Sequence, residues 1–246
     1  MSLLTVQGLT KVYSGLTAVS AVDFTVQRGS ITALIGPNGA GKTTCFNLIA
    51  GATRCTAGRV TFDGQDITGL TPEQACERGI ARTFQIVRPL TGMSVLENVV
   101  VGALLREHSV AAAERQAMAV LERIGLGAKA HASASALALP ERKLLELAKA
   151  LATRPRLLML DEVMAGLRPT EADGIAQVLR DLNADGLTIL LIEHVMRVVM
   201  AVAQTIVVLH HGEKIAEGEP ERIVNDPKVI ECYFGAGVPA TMEAAP

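Results

Sequence analysis

An α/β fold with a helical segment inserted into it is what this sequence predicts, on three observations. Short apolar, strand-like runs alternate with helix-spaced segments in the first and last thirds, as expected where helices cover a largely parallel sheet. The middle, from Ser94 to Ala152, is rich in Ala, Leu, Glu and Arg, which favour helix. Finally, Gly36-Pro37-Asn38-Gly39-Ala40-Gly41-Lys42-Thr43 fits the pattern G-x-x-x-x-G-K-[ST]. It lies between an apolar run and a helix-forming segment, the strand–loop–helix context that this phosphate-cradling P-loop needs.

Taken in order, Leu4 to Val12 and Ala18 to Val26 read as short strands with turn signals between them. Arg28-Gly29-Ser30 then leads into Ile31 to Ile35, a buried strand, and Lys42 to Ala50 reads as a helix. Gly58 to Gly64 is another short strand ending in a turn. Ser109 is placed to cap a helix that ends near Ile124, and Gly125 followed by Leu126 is a helix stop. Glu141 to Leu151 has Leu144, Leu145, Leu147, Ala148 and Leu151 at helical spacing. Leu157 to Leu160 is a continuous apolar run suited to a central parallel strand. Thr170-Glu171-Ala172-Asp173 resembles a capping box with Asp in place of Glu, and Ile175, Val178, Leu179 and Leu182 mark one helix face. Thr188 to Ile192 (strand), Val195 to Ala203 (helix) and Thr205 to Leu209 (strand) follow. There is no internal repeat. The stretch from Gly235 onward has no periodicity and is expected to be a mobile tail.

Composition bounds the function. With 246 residues and 49% hydrophobic content the chain is long enough, and apolar enough, for a substantial core. Lys plus Arg is 23 and Asp plus Glu is 25, a net charge of −2, so no nucleic-acid partner is expected from overall charge. Cys45, Cys55, Cys76 and Cys232 show no C-x-x-C spacing and read as idle thiols of a reducing compartment. Met1 to Gly8 lacks the layout of a signal peptide. The nearest approach to a membrane span, Val198 to Leu209, is interrupted by Gln204 and Thr205, so any membrane role is expected to run through a partner.

The chemistry-bearing residues gather around the P-loop. Its glycines let successive backbone N–H groups turn toward phosphate oxygens, and the helix N-terminus adds partial positive charge. Lys42 is placed to reach the β- and γ-phosphates of a nucleotide, Thr43 to set its hydroxyl on Mg²⁺, and Thr44 to bind the nucleotide beside them. Leu157 to Leu160 ends in Asp161-Glu162, a carboxylate pair at a strand's carboxyl end, where open α/β sheets hold ligands. Asp161 is expected to help hold Mg²⁺, and Glu162 to orient, or take a proton from, the water attacking the γ-phosphate. His194 follows the next buried strand at the same sheet edge, in reach of that phosphate. Gln85 sits where the strand-rich part meets the helical part, and spacing alone assigns it no role.

These segments, in this order, resemble the ATP-binding subunit of an ABC transporter over about residues 4 to 234. Gly79 to Gln85, Ser94 to Val99, Ile192-Glu193-His194 and Ile215 to Gly218 resemble the ATPases of branched-chain amino acid importers. The resemblance implies one ABC ATPase domain over residues 1–246. It comprises a RecA-like P-loop NTPase core with an antiparallel β subdomain (about 1–85 and 153–234) and an α-helical subdomain inserted at about 86–152. It implies ATP and Mg²⁺ as cofactors, Tyr13 stacked on the adenine, and Gly36 to Thr44 as the nucleotide cradle. Catalysis then falls to Glu162, His194 and Gln85, and the metal to Thr43, Gln85 and Asp161. The implied partners are a second ABC ATPase subunit, equal or different, transmembrane permease subunits contacted by the helical insertion and the Gln85 region, and indirectly an extracytoplasmic solute-binding protein. The implied location is peripheral, on the cytoplasmic face of the plasma membrane.

One segment departs from the family. The signature that faces the partner's ATP, typically Leu-Ser-Gly-Gly-Gln, falls on Leu137-Ala138-Leu139-Pro140-Glu141. Ala138 lacks the hydroxyl, Pro140 has no N–H and a fixed φ, and Glu141 is negative where Gln is usual. Pro140 suits the first position of a helix, so the fold is expected to survive while the contact across the dimer weakens. Val163 to Leu167 stands at the family's D-loop, which also lines that interface. Two other functions fit the same motifs: a nucleotide-operated regulatory subunit with little turnover, and a soluble ABC ATPase outside transport.

Overall fold

Residues 1–83 and 89–234 are described by a computed structural model. β1 (Ser2–Tyr13) and β2 (Leu16–Gln27) form a hairpin, and β3 (Ile31–Ile35) leads through the P-loop into α1 (Lys42–Ile49). β4 (Ala57–Phe62), β5 (Gln65–Asp66) and α2 (Pro72–Glu77) precede β6 (Ile80–Arg82). The helical middle divides into α3 (Val95–Ala103), α4 (Val110–Arg123) and α5 (Leu139–Ala152), which pack on one another. β7 (Leu157–Asp161), α6 (Pro169–Ala184), β8 (Thr188–Ile192), α7 (Met196–Val202), β9 (Thr205–His210), β10 (Glu213–Gly218), α8 (Pro220–Val224) and α9 (Pro227–Phe234) follow.

Two sheets result. The antiparallel one has strand order β2-β1-β4-β5, and the larger has order β10-β9-β3-β8-β7-β6. From β9 to β6 the pairing is parallel, and only β10 runs antiparallel. The register sets Leu34 and Asp161 on either side of Ile192, so the strands end together along one edge. Alternate side chains serve the two faces. Leu158, Leu160, Ile189 and Leu191 pack toward the helices of the insertion and α6. Leu157, Met159, Leu190 and Ile192 face the antiparallel sheet together with Phe46 of α1. Each buried Leu or Ile contributes about 1.5–3 kcal/mol to holding that edge rigid.

The helix ends follow local rules, with two corrections to the expectations above. As expected, the Ser109 hydroxyl caps α4, and Gly125, at φ 81°, ends it with the Leu126 N–H donating to the Leu121 carbonyl (2.8 Å). α6, however, does not begin with a Thr170–Asp173 box. Pro169 occupies its first turn, Arg168 is its N-cap, and Glu171 accepts the Arg168 N–H (2.9 Å). Proline's fixed φ and missing N–H favour the earlier start. For the same reason α5 starts at Leu139, with Pro140 second and not first. Among the described residues no helix is long and apolar enough to cross a membrane. The stretch from Gly235 onward lies outside the described residues.

Candidate functional site

The P-loop closes against the rest of the sheet so tightly that two of its positions admit only glycine. Gly36 has φ 146°, and a Cβ there would run into the Leu209 carbonyl oxygen. Gly41 has φ 99°, and its Cβ would stand 2.6 Å from the Ala18 carbonyl oxygen. Gly41 is also the N-cap of α1 and makes no side-chain cap, so the first-turn N–H groups point into the loop. Asn38 and Gly39 are exposed at the tip, Pro37 is half-buried, and Ala40 is buried. Lys42 is buried, and its Nζ donates to the Gly36 (2.7 Å) and Pro37 (2.9 Å) carbonyls, curled into the cradle it closes. Thr43 is exposed on the first turn of α1, and Thr44 is half-buried behind it.

The carboxylates arrive from the adjacent strand tips. Asp161 ends β7, is 3% exposed, and receives the Arg82 guanidinium (Nη2 to Oδ2, 2.8 Å). Arg82, at the end of β6, also donates to Asn47 Oδ1 on α1 (2.5 Å). Glu162 is the next residue, and its N–H donates to the Ile192 carbonyl at the tip of β8 (3.0 Å). His194, just beyond that tip, is exposed. The pieces share one electrostatic field. Burial lowers the Lys42 pKa, while the Glu162 and Asp161 carboxylates, and the Cys232 thiol, pull it back up. Thr43 and Asp161 line one cavity of about 790 Å³ that continues between the core and the helical insertion, past Arg82, Cys76, Val101 and Glu146. Hydroxyl and carboxylate oxygens are the donor set that a hard cation such as Mg²⁺ prefers.

Tyr13 ends β1 with 42% of its surface exposed and the Lys11 ammonium 4.8 Å from its ring centre. Gln85 lies outside the described residues. At the family's signature position Ala138 is the N-cap of α5. Its N–H is taken by Glu141 Oε2 (3.0 Å), and Glu141 also pairs with Lys129. Leu139 is exposed there, and its Cδ2 lies 3.5 Å from where a Cβ on Gly166 would be, so the signature and the Val163–Leu167 segment meet within one chain.

Sequence reasoning missed three features. Arg82 was not singled out, because the pairing of β6 with β7 that brings it to Asp161 is long-range. The C-terminal helix α9 was missed too. It brings Cys232 into the field of Lys42 and the Tyr233 phenol toward the Gly36 N–H. Burial pushes that phenol up to about 12, with the N–H opposing. The third is the buried environment of Glu193 and Lys143 behind Glu162. Charged residues set at a strand tip and in an apolar helix face were its only sequence signal.

Comparison with known proteins agrees with this geometry. The pattern of the ABC transporter family matches residues 19–165, and that of a branched-chain amino acid ATP-binding cassette transporter C-terminal segment matches residues 213–239. The chain is 39% identical to the high-affinity branched-chain amino acid transport ATP-binding protein BraF of Pseudomonas aeruginosa, over 95% of this chain and 98% of that one. It is 40% identical to LivG of Escherichia coli, of the same description, over the same shares. Among solved structures it resembles a nucleotide-free ATP-binding cassette from an ABC transporter (TM-score 0.88, 33% identity, 96% of this chain and 100% of that one). It also resembles the ADP conformation of such a cassette (TM-score 0.88, 34% identity, 96% and 99%).

Proposed function

This chain belongs to the ABC transporter family, and on that premise we propose that it is the importer subunit that binds and hydrolyses Mg-ATP to move a partner permease. The observation that carries the reading is the meeting of a glycine-restricted phosphate cradle, Lys42 and the Asp161-Glu162 pair along one sheet edge. Branched-chain amino acids are the cargo favoured by the relatives' names and by the C-terminal match.

The residues divide the work. Backbone N–H groups of Gly36 to Thr44 and the Lys42 ammonium hold the β- and γ-phosphates, and Tyr13 packs on the adenine. Thr43 and Asp161, with Gln85, hold Mg²⁺, whose role is to neutralise charge on the phosphates. Glu162 orients the attacking water and takes its proton, and His194 contacts the γ-phosphate from the neighbouring strand tip. The helical insertion forms, with the core, the groove lined by Val101 and Cys76, and this is where a permease helix docks. Two such chains, or this one and a different ATPase, close over ATP. The chain then sits peripherally on the cytoplasmic face of the membrane, with a solute-binding protein acting on the far side.

The signature observation qualifies the division. With no hydroxyl at Ala138 and no N–H at Pro140, the composite site facing Leu137–Glu141 turns over slowly in a heterodimer, and both sites do in a homodimer. The test is Glu162→Gln. A general base contributes about 10²–10⁴-fold, so turnover falls by that order while ATP still binds and a closed dimer accumulates. Unchanged turnover would take Glu162 out of this role.

A further inference from the structure

Glu162 is held in a backbone conformation that non-glycine residues seldom adopt, with φ 49° in the left-handed region. Such a conformation is costly and persists only where its surroundings fix it. The fixing contacts are visible. The Glu162 N–H donates to the Ile192 carbonyl (3.0 Å), and the Glu162 carbonyl accepts from the Ala165 N–H (3.1 Å) and from Lys143 Nζ (3.3 Å). Two residues on, the Met164 N–H donates to Glu193 Oε1 (2.9 Å). Two of these grips are therefore buried charged side chains from different elements. Lys143 comes from α5 and is 5% exposed, and Glu193 follows β8 and is 1% exposed. Glu193 Oε2 is buried with no hydrogen-bond partner among the described residues.

Stability is a poor reason for this arrangement. Buried opposite charges lose much of their attraction to desolvation, and apolar residues of like volume often stabilise as well or better. Burial lowers the Lys143 pKa against the raising influence of Glu193, Glu162 and Asp161, and burial raises that of Glu193. What the pair does achieve is geometric. Lys143 grips the carbonyl of Glu162, and Glu193 grips the segment just after it. Lys143 also lies two residues beyond the signature-position segment Leu137–Glu141, on the same helix.

The geometry points to Lys143 and Glu193 as positioning residues for hydrolysis, which fix the backbone at the Glu162 carbonyl and just after it, and tie it to the helix facing the partner subunit. This rests on the reading of Glu162 as the water-orienting group. It also gives the α5 end a task that its poor signature does not remove. Even without a donor to the partner's phosphate, a shift of α5 on dimer closure is felt at Glu162 through Lys143.

The test measures kcat and KM for ATP in the assembled transporter, with Glu162→Gln run alongside. Misplacing a reacting group by about an ångström costs up to ~10²-fold, so Lys143→Met and Glu193→Met, each of which removes its grip, lower kcat by ~10- to 100-fold. KM stays within ~3-fold, since nucleotide contacts are untouched. Lys143→Arg recovers most of the rate, and the double variant is no more than ~2-fold slower than the slower single, as for one coupled unit. Wild-type kcat in Lys143→Met or Glu193→Met, losses that multiply in the double variant, or KM rising in step with the loss overturns the inference. If Glu162→Gln is inactive while both positioning variants run normally, only this inference falls. If Glu162→Gln itself keeps full turnover, the reading beneath it falls as well. Should Lys143→Met fail to fold, Glu193→Met, which keeps the volume but removes the acceptor for the Met164 N–H, decides on its own.

Discussion

The two ends of the molecule that would meet ATP in a closed dimer are built to different standards. The P-loop edge is complete. Gly36 and Gly41 sit where no Cβ fits, Lys42 is buried in the loop, and two carboxylates arrive in register from β7. The start of α5 keeps only the helix. Ala138 is an N-cap with no side-chain acceptor, Pro140 lies in the first turn, and Glu141 turns back to satisfy the Ala138 N–H. The difference shows that starting a helix and presenting donors to a phosphate are separable demands. A capping carboxylate meets the first while adding negative charge against the second.

Restoring the missing donors is the sharpest way to break that contrast. Ala138→Ser with Pro140→Gly returns a hydroxyl and an N–H to the trans-facing end. Since one donor aimed at developing charge is worth roughly 10²–10³-fold, turnover in the assembled transporter should rise by up to about 10²-fold. A steady-state ATPase assay reads it, and an unchanged rate would mean that this end plays no part in the trans contact. A smaller effect is expected from removing the cap. Glu141→Ala leaves the Ala138 N–H without its acceptor and should cost about 1 kcal/mol. For a domain of this size that is a melting point lower by about 2–4 °C, read by calorimetry. Smallest of all is the pH effect. The Lys129 ammonium, and after it the Ala138 N–H, hold the Glu141 carboxyl below its usual range. A carboxylate depressed in the folded state contributes stability above its unfolded pKa and loses it as pH falls through the folded value. The melting points of wild type and Glu141→Gln should therefore differ at neutral pH and converge in acid. A gap that persists in acid would mean the charge is not what matters.

The same contrast explains how much was legible in the sequence. The P-loop edge is written in local patterns: a five-residue apolar strand, a fixed loop spacing, and a carboxylate pair closing a second apolar run. Such signals do not depend on distant partners. The helix starts were harder. Thr170 and Asp173 offered capping chemistry, but Pro169 set the start of α6 earlier through its fixed φ. Arg82, Glu193 and Lys143 were not legible, because their meaning comes from pairings 19 to 79 residues apart along the chain. α9 was missed for a similar reason. It is only eight residues long, and only the fold shows that they end beside Gly36 and Lys42.

The claim beneath all of this is that the P-loop and its lysine bind the phosphates of a nucleotide. Calorimetric titration of the purified chain with ATP, with and without Mg²⁺, tests it most directly when wild type and Lys42→Ala are compared. The expected result is magnesium-strengthened binding that Lys42→Ala weakens by about 10²-fold, as befits a lost charge-assisted contact of about 1.5–3 kcal/mol or more in a buried site. Equal affinity in the two proteins, or none in either, would contradict the account.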